Sequence, residues 1–266
     1  MTRRRLDAEL VRRGMVASPQ EAAQAVSAGR VIVVGRTVDN PASLVAPDEP
    51  IHVLGSPRTH ISRGGLKLSA ALARFGLDPA GRRCLDAGAS TGGFTDVLLA
   101  AGAASVVAVD VGYGQLSWRL RRDPRVTVME RTNVRDLRPD DLAGPVDLVT
   151  ADLSFVSLAI VVPVLVSLSA EGADLVLLLK PQFEARRDQV ERGGVVTDPA
   201  VWLESLRRVT SACVDAGAGV LAAIASPLPG PAGNVEFFLH ARAGHAGRAV
   251  NLEAAVAEGA AVREAS

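Results

Sequence analysis

Apolar residues in the first sixty positions follow first a helical and then a strand-like pattern. Leu6, Leu10 and Val11 recur at helical spacing, which predicts a helix near the start of the chain. Two short apolar runs, Val31 to Val34 and Ile51 to Leu54, are bounded by Gly, Asn and Pro residues, and this pattern predicts two strands.

A second predicted helix precedes these strands and has well-marked ends. Ser18 can act as its N-cap, Pro19 occupies the first helical position, and Glu21 completes a capping box. Gly29 is placed to close the helix. We therefore expect the first part of the chain to form a small α+β module of two helices and a hairpin.

The pattern changes after a stretch without periodicity. "GSPRTHISRGG", residues 55 to 65, clusters glycine, serine and proline and is interpreted as a linker. Beyond it, strand-like apolar runs alternate with helical stretches, which is typical of a mostly parallel sheet covered by helices on both faces. We therefore predict a module at residues 1–55, a linker at 56–63 and an α/β domain at 64–266. The strand-like runs of that domain are Cys84 to Leu85, Ser105 to Val109, Arg125 to Met129, Val146 to Thr150, Asp174 to Leu179, Val220 to Ala225 and Val235 to His240.

One uncharged stretch, Leu153 to Ala170, has 18 residues, the lower limit for a membrane span. Four serines and Pro163 interrupt it, and it lies between two strand-like runs. A buried crossover helix is therefore favoured, and stable membrane insertion is not expected. Cys84 and Cys213 fall in stretches that predict burial, and no signal-peptide pattern is present, so we expect a cytosolic protein.

Charge is distributed unevenly along the chain. The 29 basic and 29 acidic residues give a net charge of zero, yet the first 67 residues contain ten basic and six acidic residues. A local excess of arginine suits contacts with nucleic-acid phosphates, although a charge run can equally be a solvated helix face. The candidate RNA-binding residues are Arg3, Arg4, Arg5, Arg12, Arg13, Arg30 and Arg63.

A glycine-rich turn, "CLDAGASTGGF", follows the first apolar run of the larger domain. Glycines at a strand-to-helix turn let a ligand approach the backbone, and the helix N-terminus offers free N–H groups. The next apolar run ends at Asp110, where a carboxylate can accept ribose hydroxyls. The turn departs from the dinucleotide pattern, which favours S-adenosylmethionine over NAD because that cofactor carries no pyrophosphate; an ordinary tight turn is the alternative. The candidate residues of the turn are Asp86, Gly88, Ser90, Gly92 and Gly93.

Lysine is rare in this chain, since Lys67 and Lys180 are the only lysines among 29 basic residues. Arginine stays protonated, whereas a desolvated lysine can act as a base. Lys180 and Asp152 end two strand-like runs, and ligands bind beyond the carboxyl ends of parallel strands. Glu236, near the start of the last run, joins them if that strand is antiparallel. Lys67, in a helix-like stretch, could reach the same edge.

Two resemblances extend this reasoning. "RLDAELVRRGMVASPQEAAQAVSAGRVIVVGRTV" resembles the ribosomal-protein S-four RNA-binding domain, which implies that an arginine-bearing helix docks on structured RNA. "SRGGLKL", "DAGASTGGFTDVLL", "VDVGYGQL", "ADLSF", "KPQFE" and "GNVEFF" together resemble the TlyA family of FtsJ-like ribose 2′-O-methyltransferases, which are also named as haemolysins.

The second resemblance implies a Rossmann-like class I methyltransferase fold, with a seven-stranded, mostly parallel sheet whose last strand is antiparallel. It also implies S-adenosylmethionine as cofactor and 2′-O-methylation of cytidines in 16S and 23S ribosomal RNA. By the same resemblance, Asn133 lies near the adenine, while Tyr113 could stack on that ring or be an ordinary surface aromatic. The implied catalytic tetrad, with Lys180 as the central base, is Lys67, Asp152, Lys180 and Glu236.

Two functions of other classes remain open. The chain could be a noncatalytic RNA-binding or ribosome-assembly factor that keeps the fold, but the complete tetrad argues against this. It could be a membrane-active haemolysin, but the lack of a clear spanning helix argues against that. We expect a monomer whose partner is ribosomal RNA or a ribosomal subunit.

Overall fold

The computed structural model describes residues 3–13, 15–16, 18–46, 49–53 and 63–265, apart from the side chains of residues 52 and 63. The chain divides into two compact units, Met1–Arg63 and Gly64–Ser266. The predicted linker at 56–63 lies outside the described residues except for its last position.

The described residues of the smaller unit form two helices and two small antiparallel sheets. Strand β2 lies between β3 and β5, and β1 pairs with β4. Both helices pack their apolar residues into one core that includes Leu6, Leu10, Val26 and Val31. The elements are β1 (Arg4–Arg5), α1 (Leu6–Arg12), α2 (Pro19–Ser27), β2 (Val31–Val33), β3 (Arg36–Thr37), β4 (Leu44–Val45) and β5 (Ile51–Val53).

The N-cap and the closing glycine predicted for α2 are confirmed. Ser18 Oγ accepts a hydrogen bond from the Glu21 N–H at 3.2 Å, which satisfies a donor that the helix leaves free. At the other end, Gly29 has a φ of +65°, a conformation in which glycine avoids the strain of a Cβ atom.

Strand β2 is one residue shorter than predicted because Val34 belongs to a turn. Val34 and Gly35 have φ values of +47° and +76°, and Val33 pairs with Arg36 across them. Two consecutive residues with positive φ match the right-handed twist of a two-residue hairpin.

The larger unit is an α/β domain around one seven-stranded sheet. Its first half comprises α3 (Arg63–Phe75), β6 (Arg83–Ala87), α4 (Gly93–Ala100), β7 (Ser105–Val109), α5 (Trp118–Arg121), β8 (Val126–Met129) and β9 (Val146–Ala151). Its second half comprises α6 (Leu158–Ser167), β10 (Ser169–Leu179), α7 (Pro181–Glu184), α8 (Pro199–Asp215), β11 (Ala218–Ala225), β12 (Phe237–Ala243) and α9 (Leu252–Glu264).

The strand order of this sheet is β11-β12-β10-β9-β6-β7-β8. Strands β6 to β10 pair in parallel, whereas β12 runs antiparallel to both β10 and β11. The predicted mostly parallel, seven-stranded sheet with an antiparallel last strand is therefore confirmed. Strand β12 begins at Phe237 rather than at Val235, so Glu236 precedes the strand.

The uncharged stretch forms the helical crossover between two parallel strands. Helix α6 has ten residues and connects β9 to β10. Val161, Val162 and Leu165 are fully buried against the sheet, while Pro163 faces solvent, so the predicted buried crossover helix is confirmed. Among the helices in the described ranges, none combines the length and apolar character that crossing a membrane requires.

Candidate active site

Three of the four predicted catalytic residues flank strand ends at one edge of the large sheet. Asp152 and Lys180 each follow the carboxyl end of a parallel strand, β9 and β10. Leu179 pairs with Phe237 in the antiparallel register of β10 and β12. Glu236, the residue before Phe237, therefore enters the sheet at the edge where Lys180 leaves it.

Lys180 is held by the loop that follows β9. Its Nζ atom lies 2.5 Å from Asp152 Oδ1 and donates a hydrogen bond to Ser154 Oγ at 3.1 Å. The contact with Asp152 is an ion pair without hydrogen-bond alignment. The Lys180 side chain is 12% exposed, so the amine is fixed and still reachable. Ser154 was not predicted, because no local pattern indicates which hydroxyl a distant lysine will contact.

Lys67 reaches the same edge from α3 and forms the second pair. Its Nζ donates to Glu236 Oε2 at 2.6 Å, and both side chains are buried. A Cβ atom at Gly230 would lie 2.5 Å from Glu236 Oε1, so the carboxylate rests directly on this glycine. The structure thus divides the predicted tetrad into two lysine–acid pairs, Lys180–Asp152 and Lys67–Glu236.

Asp86 is the second-to-last residue of β6, and its side chain lies inside the domain. It is fully buried, and its Oδ2 accepts hydrogen bonds from Thr95 N–H at 2.8 Å and Thr95 Oγ1 at 2.6 Å. Its Oδ1 has no hydrogen-bond partner among the described residues. Burial raises the pKa of Asp86 to about 7, against the lowering effect of the Thr95 hydrogen bonds. Asp86 therefore fixes the turn to the start of α4.

The turn itself is bound to the end of the next strand through Asp110. The Ser90 N–H donates to Asp110 Oδ2 at 2.8 Å, and the Gly112 N–H donates to Oδ1 at 2.6 Å. Ser90 has a φ of +46°, a strained value for a residue with a side chain. The sequence had placed Asp110 and Ser90 in one site, and the structure brings them into direct contact.

Close packing explains two of the glycines. A Cβ atom at Gly88 would lie 2.3 Å from the Asp152 carbonyl oxygen, and one at Gly92 would lie 2.2 Å from the Leu120 side chain. Gly92 caps α4, and Gly93 is its first residue. The turn is therefore narrow, with the N-terminus of α4 directly behind it.

Tyr113 and Asn133 lie on segments that follow the neighbouring strands β7 and β8. Tyr113 is 68% exposed, and the Arg131 guanidinium carbon lies 4.2 Å from its ring centre. Asn133 caps a short 3-10 helix, with its Oδ1 accepting from the Arg135 N–H at 3.1 Å. One face of the tyrosine ring is thus covered by a cation.

The candidate RNA-binding arginines differ in their exposure and in the contacts that they make within the smaller unit. Arg3, Arg4 and Arg5 are exposed in and beside β1, while Arg30 is partly buried. Arg12 and Arg13 both bind the buried Glu9, at 2.5 and 2.7 Å. The Arg12 hydrogen bond, aided by Arg13, lowers the pKa of Glu9 to about 2 against the effect of burial. The side chain of Arg63 lies outside the described residues.

Arg13 is therefore a stabilising residue of this unit. It also donates to the carbonyl oxygens of Glu49 and Ala46, and its side chain is 20% exposed. Arg12 remains about half exposed and can still reach a phosphate.

The segment between α7 and α8, residues 185–198, is held by an asparagine that the sequence did not single out. Asn234 is buried; its Oδ1 accepts from the Val196 N–H at 2.9 Å, and its Nδ2 donates to the Gly194 carbonyl at 2.8 Å. Asn234 thus binds this segment two residues before Glu236. Cys84 and Cys213 are both buried, as predicted, and both are free thiols; burial raises the pKa of each to about 12.

Comparisons with known proteins agree with this fold. Residues 60–243 match the profile of the FtsJ-like methyltransferases, and residues 4–51 match that of the S4 domain. The 16S/23S rRNA (cytidine-2′-O)-methyltransferase TlyA of Mycobacterium tuberculosis (strain ATCC 25618 / H37Rv) is 54% identical over 241 residues, which are 90% of each chain.

Two further proteins extend the comparison. A protein of Bacillus subtilis (strain 168), provisionally named rRNA methyltransferase YqxC, is 44% identical over 237 residues, 89% of this chain and 84% of its own. A solved structure of a protein from Streptococcus thermophilus, named as a hemolysin, has a TM-score of 0.80 and 36% identity, and covers 100% of this chain and 98% of its own.

The parallel sheet, its reversed last strand and the turn after β6 define an enzyme of the methyltransferase class, with S-adenosylmethionine as its cofactor. The chain belongs to the FtsJ-like methyltransferase family and, within it, to the TlyA proteins.

Proposed function

We propose that this enzyme methylates the ribose 2′-hydroxyl of cytidines in 16S ribosomal RNA, 23S ribosomal RNA or both. The observation that carries the proposal is the meeting of two lysine–acid pairs at the sheet edge beside the glycine-rich turn. The name of the Mycobacterium tuberculosis relative supports the choice of RNA and of the 2′-hydroxyl.

The residues of the turn fit the expected cofactor. Each carboxylate oxygen of Asp110 accepts one backbone N–H and keeps a lone pair for a ribose hydroxyl. Asp110 is partly exposed, so these lone pairs can be reached. Asn133 would contact the adenine, and the turn from Asp86 to Gly93 would lie along the amino-acid part. S-adenosylmethionine supplies, when bound, a methyl group that is electrophilic because it is attached to a sulfonium.

The lysine–acid pairs supply the proton chemistry. Lys180, in its neutral form, would accept at Nζ the proton that the 2′-hydroxyl loses when the methyl group passes from the sulfonium to its oxygen, which leaves a neutral thioether. Asp152 and Ser154 orient its Nζ, and the Lys67–Glu236 pair orients the ribose from the other side of the edge. A base held within hydrogen-bond reach of one hydroxyl selects that hydroxyl by geometry.

RNA affinity belongs to the smaller unit in this proposal. We assign RNA binding to residues 1–55, the linker to 56–63 and catalysis to 64–266. Exposed arginines, including Arg3, Arg4 and Arg5, would contact phosphates, which position a substrate without selecting its sequence. Ribosomal RNA as substrate implies a cytoplasmic enzyme.

Lys180→Ala tests the assignment of the base. The variant should lose methyl transfer to ribosomal RNA at least about 100-fold, since a positioned base contributes about 10²–10⁴-fold, while RNA binding stays unchanged. Arg207→Ala, at an exposed ion pair on α8, is the control and should keep full activity. Mass-spectrometric mapping of methylated nucleotides, in RNA from cells with and without each protein, gives the target. Near wild-type transfer by Lys180→Ala would show that another group is the base.

A further inference from the structure

Two segments of the chain run side by side next to Lys180. One is the loop from Asp152 to Ser157 after β9; the other runs from Lys180 to Glu184 and includes α7. They touch at both ends: Lys180 contacts the start of the loop at Asp152 and Ser154, and Glu184 contacts its end at Ser157.

The Glu184 side chain is buried, and each of its carboxylate oxygens accepts a hydrogen bond. Its Oε2 accepts from Ser157 Oγ at 2.5 Å, and its Oε1 accepts from the Leu158 N–H at 2.6 Å. The Glu184 side chain is buried, although burial of a carboxylate is unfavourable without strong partners. From α8, Arg208 donates to the Glu184 carbonyl oxygen, which fixes the backbone that carries the carboxylate.

The middle of the loop is both strained and exposed to solvent. Phe155 has a φ of +63° and is 91% exposed, so a strained backbone conformation is not balanced by burial of the side chain. Its ring centre lies 5.1 Å from that of Phe183, on the neighbouring segment. Such a loop keeps its shape only when its ends are fixed, and Ser157 is the end farthest from Lys180.

We propose that Glu184 is a positioning residue for Lys180: by holding Ser157 and the Leu158 N–H, it keeps Asp152 and Ser154 at the Lys180 amine. The inference rests on the proposed function insofar as Lys180 is the base. Control by Glu184 of how firmly the Lys180 amine is held does not depend on the reaction catalysed.

Amine labelling tests the inference without any activity measurement. The chain has two lysines, and both side chains are at most 12% exposed, so peptide mass spectrometry can follow each separately during reductive methylation of the full-length protein. In Glu184→Gln, and separately in Ser157→Ala, we expect Lys180 to be labelled at least about threefold faster, while the rate for Lys67 stays unchanged. Ser157→Thr keeps the hydroxyl and should restore the wild-type rate.

Kinetics provide the second readout. If loosening of the loop misplaces the amine, Glu184→Gln should lower kcat on ribosomal RNA roughly 10- to 100-fold, with the Kd for S-adenosylmethionine and the KM for RNA within about twofold of wild type. Glu253→Gln makes the same chemical change at an exposed ion pair and should alter neither readout. The double variant Glu184→Gln/Ser157→Ala should be no slower than Glu184→Gln alone, because both changes break one contact.

The outcomes separate this inference from the proposed function. Unchanged Lys180 labelling in Glu184→Gln and Ser157→Ala would overturn it, as would equal acceleration at Lys67, which would indicate general loosening. If Glu184→Gln does not fold, the Ser157 pair decides alone. Faster labelling of Lys180 in a protein that does not methylate ribosomal RNA would support the positioning role and refute the proposed substrate.

Discussion

Asp86 makes the stability of the larger unit depend on pH. Burial raises the pKa of this carboxyl from its usual 3.8 to about 7, and Oδ1 lacks a hydrogen-bond partner in the described residues. The folded protein therefore keeps this proton up to about pH 7, whereas the unfolded chain releases it near pH 4. The contribution of Asp86 to the free energy of unfolding is therefore fully present at acidic pH and is lost as the pH rises towards 7.

The size of the effect follows from the difference in pKa. A rise of about 3 in pKa corresponds to about 4 kcal/mol at about 1.4 kcal/mol per tenfold change in proton affinity. Because Asp86 is fully buried, solvent screening does not reduce this figure. Between about pH 4.5 and pH 8, about 3 kcal/mol should be lost.

Asp86→Asn removes the titration and keeps most of the shape. The asparagine oxygen can still accept both hydrogen bonds from Thr95. The difference in free energy of unfolding between wild type and variant should therefore change by about 3 kcal/mol over this pH range, in favour of the variant at high pH. Other carboxyl groups titrate equally in both proteins and cancel.

Urea unfolding followed by tryptophan fluorescence measures this difference in the relevant unit. Both tryptophans, Trp118 and Trp202, lie in Gly64–Ser266, so the signal reports that unit. A difference that varies by less than about 1 kcal/mol between pH 4.5 and pH 8 would show that Asp86 is ionised in the folded protein. The pKa argument would then be wrong.

Two further predictions concern the second lysine–acid pair. Lys67→Met should lower the free energy of unfolding by about 3–5 kcal/mol, because it leaves Glu236 buried and unpaired. In the same urea assay, Lys67→Met/Glu236→Gln should recover most of this loss. A loss below about 1 kcal/mol in the single variant would contradict burial of the pair. Gly230→Ala should displace the Glu236 carboxylate, since the new Cβ would lie 2.5 Å from Oε1, and should lower the single-turnover rate roughly tenfold. An unchanged rate would show that Glu236 has no part in orienting the substrate.

The sequence predicted the architecture because its signals were local or periodic. Alternating apolar runs predicted the sheet, and the ends of those runs placed Asp152 and Lys180 at one edge, as the register confirms. The N-cap at Ser18 was equally clear, since the accepting hydroxyl oxygen and the Glu21 N–H that donates to it lie three residues apart.

The remaining features depend on contacts between distant segments. No sequence pattern indicated that Lys67 pairs with Glu236, which lies 169 positions away, or that Glu184 binds Ser157. Nor did any pattern single out Asn234, which binds two backbone groups of another loop. The arginines show the opposite difficulty, because the pattern of Arg13 suited RNA binding, yet its guanidinium is bound within its own unit.

Reversal of β12 has a consequence for how the chain supplies functional groups to one edge of the sheet. The backbone leaves that edge after β9 and β10 but arrives at it before β12. In an all-parallel sheet, a residue that precedes its strand would lie at the opposite edge, the length of a strand away. Turning one strand round lets residues before and after strands meet, so Glu236 can be supplied by a segment independent of the loops that bind cofactor and base.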